Sequence, residues 1–361
     1  MCVLEEIIRK GIEKNGPIPF SEFMELVLYN DLFGYYSKAG KIGKLGDFYT
    51  SPSVDSLFGK LLGKQIEQML ETVNEKEFSV IEMGAGNGHL AKDILSYFKE
   101  RGIESKIKYI IIERFPAVMK AQRDALSGFD VEWKHSIKDL SSFNGVFLSN
   151  ELVDSFPTHR VVMVGGLMEV YVDCIGGRFK EILRPAGNEV KNHLSSLGIT
   201  LAEGQRAEVN LSSMGWVKYV GAYLKKGFVV TIDYGYPSGE LYSTRRRNGT
   251  FLCYYKHKAD DNPYEMVGNK DMTSHVDFTS LAIAGRSSGL EVTGFTYQSH
   301  FLIGLGAIDE LSSLPQERVM RIKRLITPED MGGTFKVLVQ HKGVSEPKLA
   351  GFSIKSPLKL Q

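Results

Sequence analysis

A predicted buried strand that ends in a glycine-rich turn is the strongest chemical signal in this sequence. The segment 80–90 has the sequence VIEMGAGNGHL, an apolar run followed at once by three glycines and the start of a helix. Glycine lets the backbone approach a ligand in conformations that other residues avoid. His89 stands where the dinucleotide fingerprint GxGxxG has its third glycine. The turn therefore favours a ligand other than NAD or FAD, unless it only joins a strand to a helix.

Acidic side chains stand beside this turn and at the end of the next predicted strand. Glu82 precedes the glycines, and Glu113 ends the run Tyr109–Glu113. An acid at the second place can accept both hydroxyls of an adenosine ribose, which supports an adenosine cofactor without choosing between NAD and S-adenosylmethionine. Glu82 favours S-adenosylmethionine, because that molecule has no phosphate and carries positive charge at its amino group and sulfonium.

A third polar cluster follows the fourth predicted strand. The segment 147–157 is FLSNELVDSFP, which contains Asn150, Glu151 and Asp154. Ligands of open α/β sheets bind outside the carboxyl ends of the strands, near the point where the strand order reverses. We therefore expect these three side chains near the reactive end of the cofactor. The alternative is that Asp154 caps a turn and Glu151 faces water.

Short apolar runs alternate with helical patterns from residue 78 onward, which predicts an α/β fold with a mainly parallel sheet covered on both faces. The predicted strands are Phe78–Met83, Lys108–Glu113, Val131–Trp133, Val146–Leu148, Phe228–Asp233, Leu290–Tyr297 and Thr334–Gln340. The predicted helices are Val3–Asn15, Glu22–Tyr29, Val54–Val73, His89–Lys99, Ala117–Leu126, Ser213–Leu224 and Phe278–Ser288.

The alternation is interrupted twice, which predicts insertions into one core. Residues 1–76 form an N-terminal helical cap with a glycine-rich segment that covers the cofactor. The core occupies 77–158 and 213–342, with an inserted β-rich subdomain at 159–212 and a long loop at 234–276. Residues 343–361 are a C-terminal tail. Antiparallel strands are expected in the insertion at Arg160–Val164, Leu167–Cys174 and Phe179–Leu183. The segment Val161–Leu183 could form a dimer interface or a substrate lid.

Five segments together resemble a known family. The segment 82–88 (EMGAGNG) is similar to motif I of class I S-adenosylmethionine-dependent methyltransferases. The other segments are 34–36 (GYY), 46–52 (GDFYTSP) with Phe58-Gly59, 149–157 (SNELVDSFP) and 271–278 (DMTSHVDF). In this order they resemble the MidA-like family, which includes a mitochondrial complex I assembly factor that is a protein arginine methyltransferase. The resemblance implies a Rossmann-like methyltransferase sheet with an N-terminal helical cap and an inserted β-rich and loop subdomain.

The resemblance also implies roles for individual residues. S-adenosyl-L-methionine would be held by Thr50, Ser51, Glu82, Gly84, Ala85, Gly86, Gly88, Glu113 and Asn150. The acceptor would be met by the catalytic residues Asn150, Glu151, Asp154 and His275, with His257, Thr273 and Asp277 near its entrance. The implied partner is a protein with an arginine acceptor, such as a subunit of respiratory complex I.

Composition excludes several other classes. The net charge is +1, so no global basic field attracts nucleic acid, and the run Arg245–Arg247 is expected to be a solvated loop. The three cysteines are far apart, without the spacing of a zinc site or a disulfide framework, and no metal is expected. No apolar run is long enough to span a bilayer. The acidic, amphipathic N-terminus resembles neither a signal nor a transit peptide, so we expect a bacterial cytoplasmic protein.

Other functions stay open at this point. The chain could be a cofactor-binding assembly chaperone with little turnover, or a methyltransferase that acts on RNA or a small molecule. A dehydrogenase is the further alternative, because an acid such as Glu113 also suits NAD.

Overall fold

The strands in the described part of the chain form one large central sheet and two smaller sheets. The computed structural model describes residues 3–38, 50–312 and 314–360. Within these ranges the strands are β1 (Ile18–Pro19), β2 (Phe78–Met83), β3 (Ile107–Ile112), β4 (Val131–Lys134), β5 (Phe143–Asn150), β6 (His159–Met163), β7 (Leu167–Ile175), β8 (Arg178–Pro185), β9 (Arg206–Val209), β10 (Leu224–Tyr236), β11 (Leu252–Tyr255), β12 (Lys258–Asp260), β13 (Asp271–Thr273), β14 (Val276–Asp277), β15 (Glu291–Tyr297) and β16 (Phe335–Lys342).

Helices precede, cover and connect these strands. In the described ranges they are α1 (Val3–Asn15), α2 (Phe20–Tyr29), α3 (Ser51–Val54), α4 (Leu57–Val73), α5 (His89–Arg101), α6 (Pro116–Ala125), α7 (Asn188–Ser196), α8 (Leu211–Tyr223), α9 (Ser238–Leu241), α10 (Phe278–Arg286), α11 (Gln298–Gly304), α12 (Ala307–Leu311), α13 (Gln316–Ile326) and α14 (Met331–Thr334). None of them is both long enough and apolar enough to cross a lipid bilayer.

The central sheet has the order β15-β16-β10-β5-β2-β3-β4. Strands β4, β3, β2, β5 and β10 are mutually parallel, and β16 runs antiparallel to both of its neighbours. The chain leaves β2 toward β4 on one side and returns at β5 to build the other side. The order therefore reverses between β2 and β5, where a ligand site is expected. The predicted α/β class is confirmed.

Two apolar layers cover the faces of this sheet. On one face, side chains of α4, α5, α11 and α13 pack on the strands, among them Phe58, Phe98 and Phe301. On the other face, side chains of α8 and α10 pack on the strands, including Trp216 and Leu281. Because both faces are covered, the central strands are apolar almost throughout, as in β3 with the sequence IKYIII.

A separate core joins the N-terminal helices to the inserted strands. Apolar side chains of α1 and α2 pack against β7, β8, β11 and β13; Phe23, Val172 and Met272 are fully buried there. The short strand β1 also pairs with β7, with Ile18 opposite Val172. The N-terminal cap and the insertion therefore build one accessory body beside the central sheet.

The predicted long loop at 234–276 contains more regular structure than its polar sequence indicates. Strand β10 continues to Tyr236, and β11, β12 and β13 form a small antiparallel sheet. Its register places Cys253 opposite Met272, and both side chains are buried. The prediction of a loop was wrong because each of these strands has only three or four residues, too few to show a periodic pattern. Helix α7 and strand β9 were also not predicted.

The helix predicted from Val54 to Val73 is divided near its start. The Asp55 carboxylate accepts a hydrogen bond from the Leu57 backbone N–H at 3.1 Å, and α4 begins at Leu57. The short helix α3 precedes it at Ser51–Val54. Of the segment Gly46–Pro52, which was expected to cover the cofactor, residues 46–49 lie outside the described ranges.

Candidate active site

A cavity of about 700 Å³ opens where the sheet order reverses. Its walls come from the turn after β2, the ends of β3 and β5, and the N-terminal cap. Seven of the predicted cofactor residues line it: Thr50, Glu82, Gly84, Ala85, Gly86, Glu113 and Asn150. Glu151 and Asp154 line it as well. Ser51, Gly88 and His275 do not line it.

The glycine turn after β2 needs glycine at the positions that the sequence provides. Gly84, Gly86 and Gly88 have φ values of +81°, +53° and +79°, in the left-handed region that other residues rarely adopt. A Cβ atom on Gly84 would lie 2.9 Å from Leu152 Cδ1. Gly88 is the N-cap of α5, and its N–H donates to the Ala85 carbonyl at 2.8 Å. Gly88 therefore shapes the turn from outside the cavity.

Glu82 is a buried acid in the cavity wall. The Tyr109 hydroxyl donates a hydrogen bond to Glu82 Oε2 at 2.6 Å, and the side chain is 2% exposed. Burial raises the pKa of Glu82 to about 7, despite this hydrogen bond. A positively charged ligand group beside the carboxylate would stabilise its ionised form.

Glu113 is held in place at the end of β3. Its Oε1 accepts a hydrogen bond from the Phe115 backbone N–H at 2.8 Å, and its Oε2 accepts one from Gln122 Nε2 at 3.1 Å. The same Gln122 nitrogen donates to the Gly86 carbonyl at 2.9 Å. These contacts fix the acid relative to the glycine turn. Burial raises the pKa of Glu113.

Thr50 and Ser51, both predicted as cofactor contacts, have different positions. Thr50 lines the cavity. The Ser51 side chain is fully buried, and its hydroxyl donates to Gln298 Oε1 at 3.0 Å. Its backbone N–H donates instead to Glu151 Oε1 at 2.9 Å. The Ser51 hydroxyl therefore does not contact the cavity. The Ser51 backbone N–H links the start of α3 to Glu151, the acid after β5.

Glu151 follows β5 in a strained backbone conformation. Its φ is +51°, unusual for a residue with a side chain, and its N–H donates to the Ile232 carbonyl at 2.9 Å. The Asn150 side-chain amide donates to Glu151 Oε1 at 3.1 Å. Burial, with a smaller contribution from the nearby Asp154, raises the pKa of Glu151 to about 8.

Asp154 is the second acid of this loop. It accepts a short hydrogen bond from the Tyr234 hydroxyl at Oδ2. Among the described residues, neither Asp154 Oδ1 nor Asn150 Oδ1 has a hydrogen-bond partner, and both atoms are buried. Unpaired buried acceptors are costly, so two such atoms in a cavity wall indicate a ligand that donates hydrogen bonds.

Asp233, at the end of the neighbouring strand β10, holds the loop that carries both acids. Its Oδ2 accepts the backbone N–H groups of Leu152, Val153 and Asp154, at 3.2, 2.9 and 3.3 Å. Its side chain is fully buried. Burial and the nearby carboxylates raise the pKa of Asp233. The run Phe228–Asp233 was predicted as a strand, but no role was assigned to the acid at its end.

His275 is not part of the cavity, although it was predicted to be catalytic. Its ring packs against Tyr234 and Tyr236, with centroids 5.2 and 5.3 Å apart, and Nδ1 is buried without a partner. Burial lowers the pKa of His275 to about 4, which keeps the ring neutral. It therefore packs behind the site.

The three residues predicted beside His275 near the acceptor entrance do not line the cavity either. His257 lies in the exposed turn between β11 and β12. Asp277 caps α10 through the Ser280 backbone N–H at 3.1 Å. Thr273 is buried in β13.

Two tyrosines of the N-terminal cap were not predicted as site residues. Tyr29 and Tyr36 line the cavity with stacked rings 5.4 Å apart. The Tyr36 hydroxyl donates to Asp271 Oδ1 at 2.7 Å, and the Tyr29 hydroxyl shares a 2.8 Å hydrogen bond with Ser155 Oγ. The segments GYY and DMTSHVDF contain Tyr36 and Asp271, but the sequence does not show that they meet.

The fold and the site together define a class I methyltransferase. The strand order, the glycine turn after β2 and the acid at the end of β3 are combined around one cavity. Residues 61–296 match a family described as "Putative S-adenosyl-L-methionine-dependent methyltransferase". The chain belongs to this MidA-like family, as the sequence motifs predicted.

Solved and curated relatives agree with this membership. A crystal structure from Burkholderia thailandensis, bound to S-adenosyl-homocysteine, has a TM-score of 0.91 and 32% identity, and covers 97% of this chain and 94% of that one. The protein arginine methyltransferase NDUFAF7 homologue of Drosophila melanogaster is 27% identical, over 94% of this chain and 85% of its own length. The Danio rerio protein arginine methyltransferase NDUFAF7 is 28% identical, over 92% and 85%. Both are mitochondrial.

The residues present fit the family's cofactor, S-adenosyl-L-methionine, and the predicted cofactor is confirmed. The cavity has the volume of a small-molecule site. Its glycine turn lets the backbone approach closely, and the carboxylates of Glu82 and Glu113 in its wall are of the chemical type that would suit an ammonium group and a ribose. The unpartnered Asn150 Oδ1 is a further acceptor in the wall.

Proposed function

We propose that this S-adenosyl-L-methionine-dependent methyltransferase methylates arginine side chains of a protein. The observation that carries the proposal is the acidic loop after β5: Glu151 and Asp154 both line the cavity, and Asp154 Oδ1 is buried with no partner in the part of the chain that the structure describes. Arginine methylation is also the activity that the names of the Drosophila melanogaster and Danio rerio relatives state.

Buried acids favour a cationic acceptor over a neutral one. Burial raises the pKa of Glu151 to about 8 and that of Asp154 to about 6, so without a counter-charge their ionised forms are disfavoured. A guanidinium group stays protonated at neutral pH and would favour the ionised form of both acids. Its planar N–H groups can pair with carboxylates in a bidentate arrangement.

The site residues have distinct roles in the proposed reaction. Glu82, the turn Gly84–Gly86 and Glu113 hold the cofactor. When bound, the cofactor supplies a methyl group on a sulfonium, whose thioether is a leaving group that needs no further activation. Glu151 and Asp154 fix the plane of the guanidinium and concentrate its positive charge away from the attacking nitrogen. Asp154 Oδ1 can accept the proton that the methylated nitrogen releases.

Methylation of a fractionated extract would test the class of acceptor. The purified chain is incubated with methyl-labelled cofactor and an extract from cells of the source organism that lack the gene, and the protein, RNA and small-molecule fractions are counted separately. We expect label in the protein fraction, and none with the Glu151→Gln variant. Label in RNA or in small molecules would contradict the proposal.

The named alternatives have distinct outcomes in the same experiment. An assembly chaperone with little turnover would bind the cofactor in calorimetry and transfer less than one methyl group per molecule. Within the protein fraction, a labelled complex I subunit would support the partner that the family resemblance implies. Label on lysine or glutamate side chains would overturn the choice of arginine.

A further inference from the structure

The end of strand β10 holds the acidic loop through three consecutive residues. The Ile232 carbonyl accepts the Glu151 N–H at 2.9 Å. The Asp233 carboxylate accepts the next three backbone N–H groups. Tyr234 then reaches the side chain of Asp154 with its hydroxyl. The first two contacts fix the backbone of the loop, and the third fixes one carboxyl group.

Tyr234 is itself held rigidly. Its ring packs edge-on against His275, with centroids 5.2 Å apart, and against Phe335, with centroids 5.7 Å apart. A ring confined on two sides has little rotational freedom, so its hydroxyl stays directed at Asp154 Oδ2. Asp154 Oδ1 is then the oxygen left for a ligand, and it is the buried atom without a partner.

We propose that Tyr234 is a positioning residue for methyl transfer, and that its hydroxyl holds the Asp154 carboxylate with Oδ1 facing the acceptor. This inference rests on the proposed function, because it assigns to Asp154 a contact with a cationic acceptor. It extends that function to a residue on a different strand, outside the cavity wall. It also assigns a structural role to His275, because the His275 ring packs against Tyr234 on the side away from the cavity.

The surroundings of Asp154 determine how loss of the hydroxyl would be detected. The titratable groups that act on it are Glu151, Asp233, Tyr29, Tyr36, Tyr234 and Tyr254. Asp271 lies one step further, hydrogen-bonded to Tyr36. Burial raises the pKa of Asp154, and the Tyr234 hydrogen bond lowers it against that effect. Without the hydroxyl, the pKa of Asp154 must rise further.

The variant Tyr234→Phe removes only the hydroxyl and keeps the ring packing. We expect the acid limb of the pH profile of methyl transfer to move upward by roughly one pH unit, the scale of one hydrogen bond to a charged group. Well below this limb the rate should fall about tenfold, and at pH 7, one unit above the Asp154 pKa of about 6, it should fall about twofold. The dissociation constant of S-adenosyl-homocysteine should be unchanged. A loss of rate that is equal at every pH, with no shift of the limb, would overturn the proposal.

The same substitution elsewhere provides the control. The hydroxyl of Tyr97, on α5, donates a hydrogen bond to the carboxylate of Glu67, on α4, at 2.5 Å. This pair lies away from the cavity. Tyr97→Phe should leave the rate and the pH profile of methyl transfer unchanged. A shift of the limb in this control as large as in Tyr234→Phe would overturn the assignment.

A second measurement needs no acceptor. Carbon-13 NMR of aspartate carboxyl groups, in the complex with S-adenosyl-homocysteine, follows the titration of Asp154, with Asp154→Asn providing the assignment. A higher midpoint in Tyr234→Phe supports the role of Tyr234 even if the acceptor is not arginine. An unchanged midpoint overturns it even if arginine is methylated.

Discussion

Replacement of Glu151 by glutamine should lower methyl transfer and stabilise the fold at the same time. In the unmodified protein the Ser51 backbone N–H donates to Glu151 Oε1 at 2.9 Å. Glutamine has nearly the same shape and keeps an oxygen that can accept this hydrogen bond. The substitution removes only the negative charge. A buried acid with a raised pKa and no catalytic role would give the gain in stability without the loss of methyl transfer, so the two effects together identify a functional charge.

The catalytic effect follows from the loss of one ion pair. Two unit charges about 4 Å apart attract with about 4 kcal/mol at an effective dielectric constant of about 20. Each 1.4 kcal/mol of transition-state free energy is about a factor of ten in rate. Because Asp154 remains, we expect a decrease of roughly 100- to 1,000-fold in kcat/KM for the protein acceptor. The affinity for S-adenosyl-homocysteine should change by less than about threefold.

The stability effect has a definite sign. The pKa of Glu151 is about 8 in the folded chain, against 4.5 ordinarily. Between these values the folded state binds more protons than the unfolded state, so stability falls as pH rises. By pH 7 the free energy of unfolding is lower by up to about 3 kcal/mol for this reason. A glutamine at this position does not titrate, so the variant does not lose this stability. The advantage of Glu151→Gln should therefore be large at pH 7 and disappear near pH 4.

Three measurements check this prediction: acceptor kinetics, calorimetry with S-adenosyl-homocysteine, and urea unfolding at pH 4, 5.5 and 7. Glu208→Gln is a matched control, because Glu208 is a buried acid with a raised pKa in the inserted sheet. It should leave methyl transfer within about twofold of the unmodified protein. Full activity of Glu151→Gln would refute the reasoning. A parallel loss of cofactor binding and activity would move Glu151 into the cofactor site.

Three further substitutions separate the cofactor contacts. Gly84→Ala places a Cβ 2.9 Å from Leu152 at a φ of +81°, so calorimetry should show a cofactor affinity reduced at least about tenfold. Glu113→Gln tests the proposed contact of this acid with the ribose: loss of a charge-assisted hydrogen bond should raise the dissociation constant about tenfold, and unchanged binding would contradict that role. Ser51→Ala should keep cofactor affinity within twofold and lower the free energy of unfolding by about 1 kcal/mol, because its hydroxyl bonds only inside the protein.

The sequence alone predicts the site residues that stand at the ends of strands, because the apolar pattern of each strand shows where it ends. The apolar run before Gly84 and the acid at Glu113 mark the ends of two neighbouring strands, and both residues line the cavity. Asn150 could be placed by the same reasoning. These positions depend on local patterns and on the rule that parallel strands share one carboxyl edge.

The remaining site residues depend on contacts between distant segments. Tyr36 and Asp271 are hydrogen-bonded although 235 positions separate them. The packing of the accessory body on the core brings them together, and no local pattern encodes that packing. His275 was misplaced for the same reason, because a motif shows that a histidine is present but not which side of Tyr234 it occupies. The sheet of β11, β12 and β13 was missed because its strands are too short to show periodicity.

The most direct test of the account is the chemical identity of the methylated residue. The protein fraction labelled by the purified chain and methyl-labelled S-adenosyl-L-methionine is digested and analysed by mass spectrometry, beside a Glu151→Gln reaction. We predict methyl groups on the guanidinium nitrogens of arginine, absent from the Glu151→Gln sample. Methylation of any other side chain, or equal labelling in both samples, would contradict the assignment of the acidic loop to an arginine acceptor.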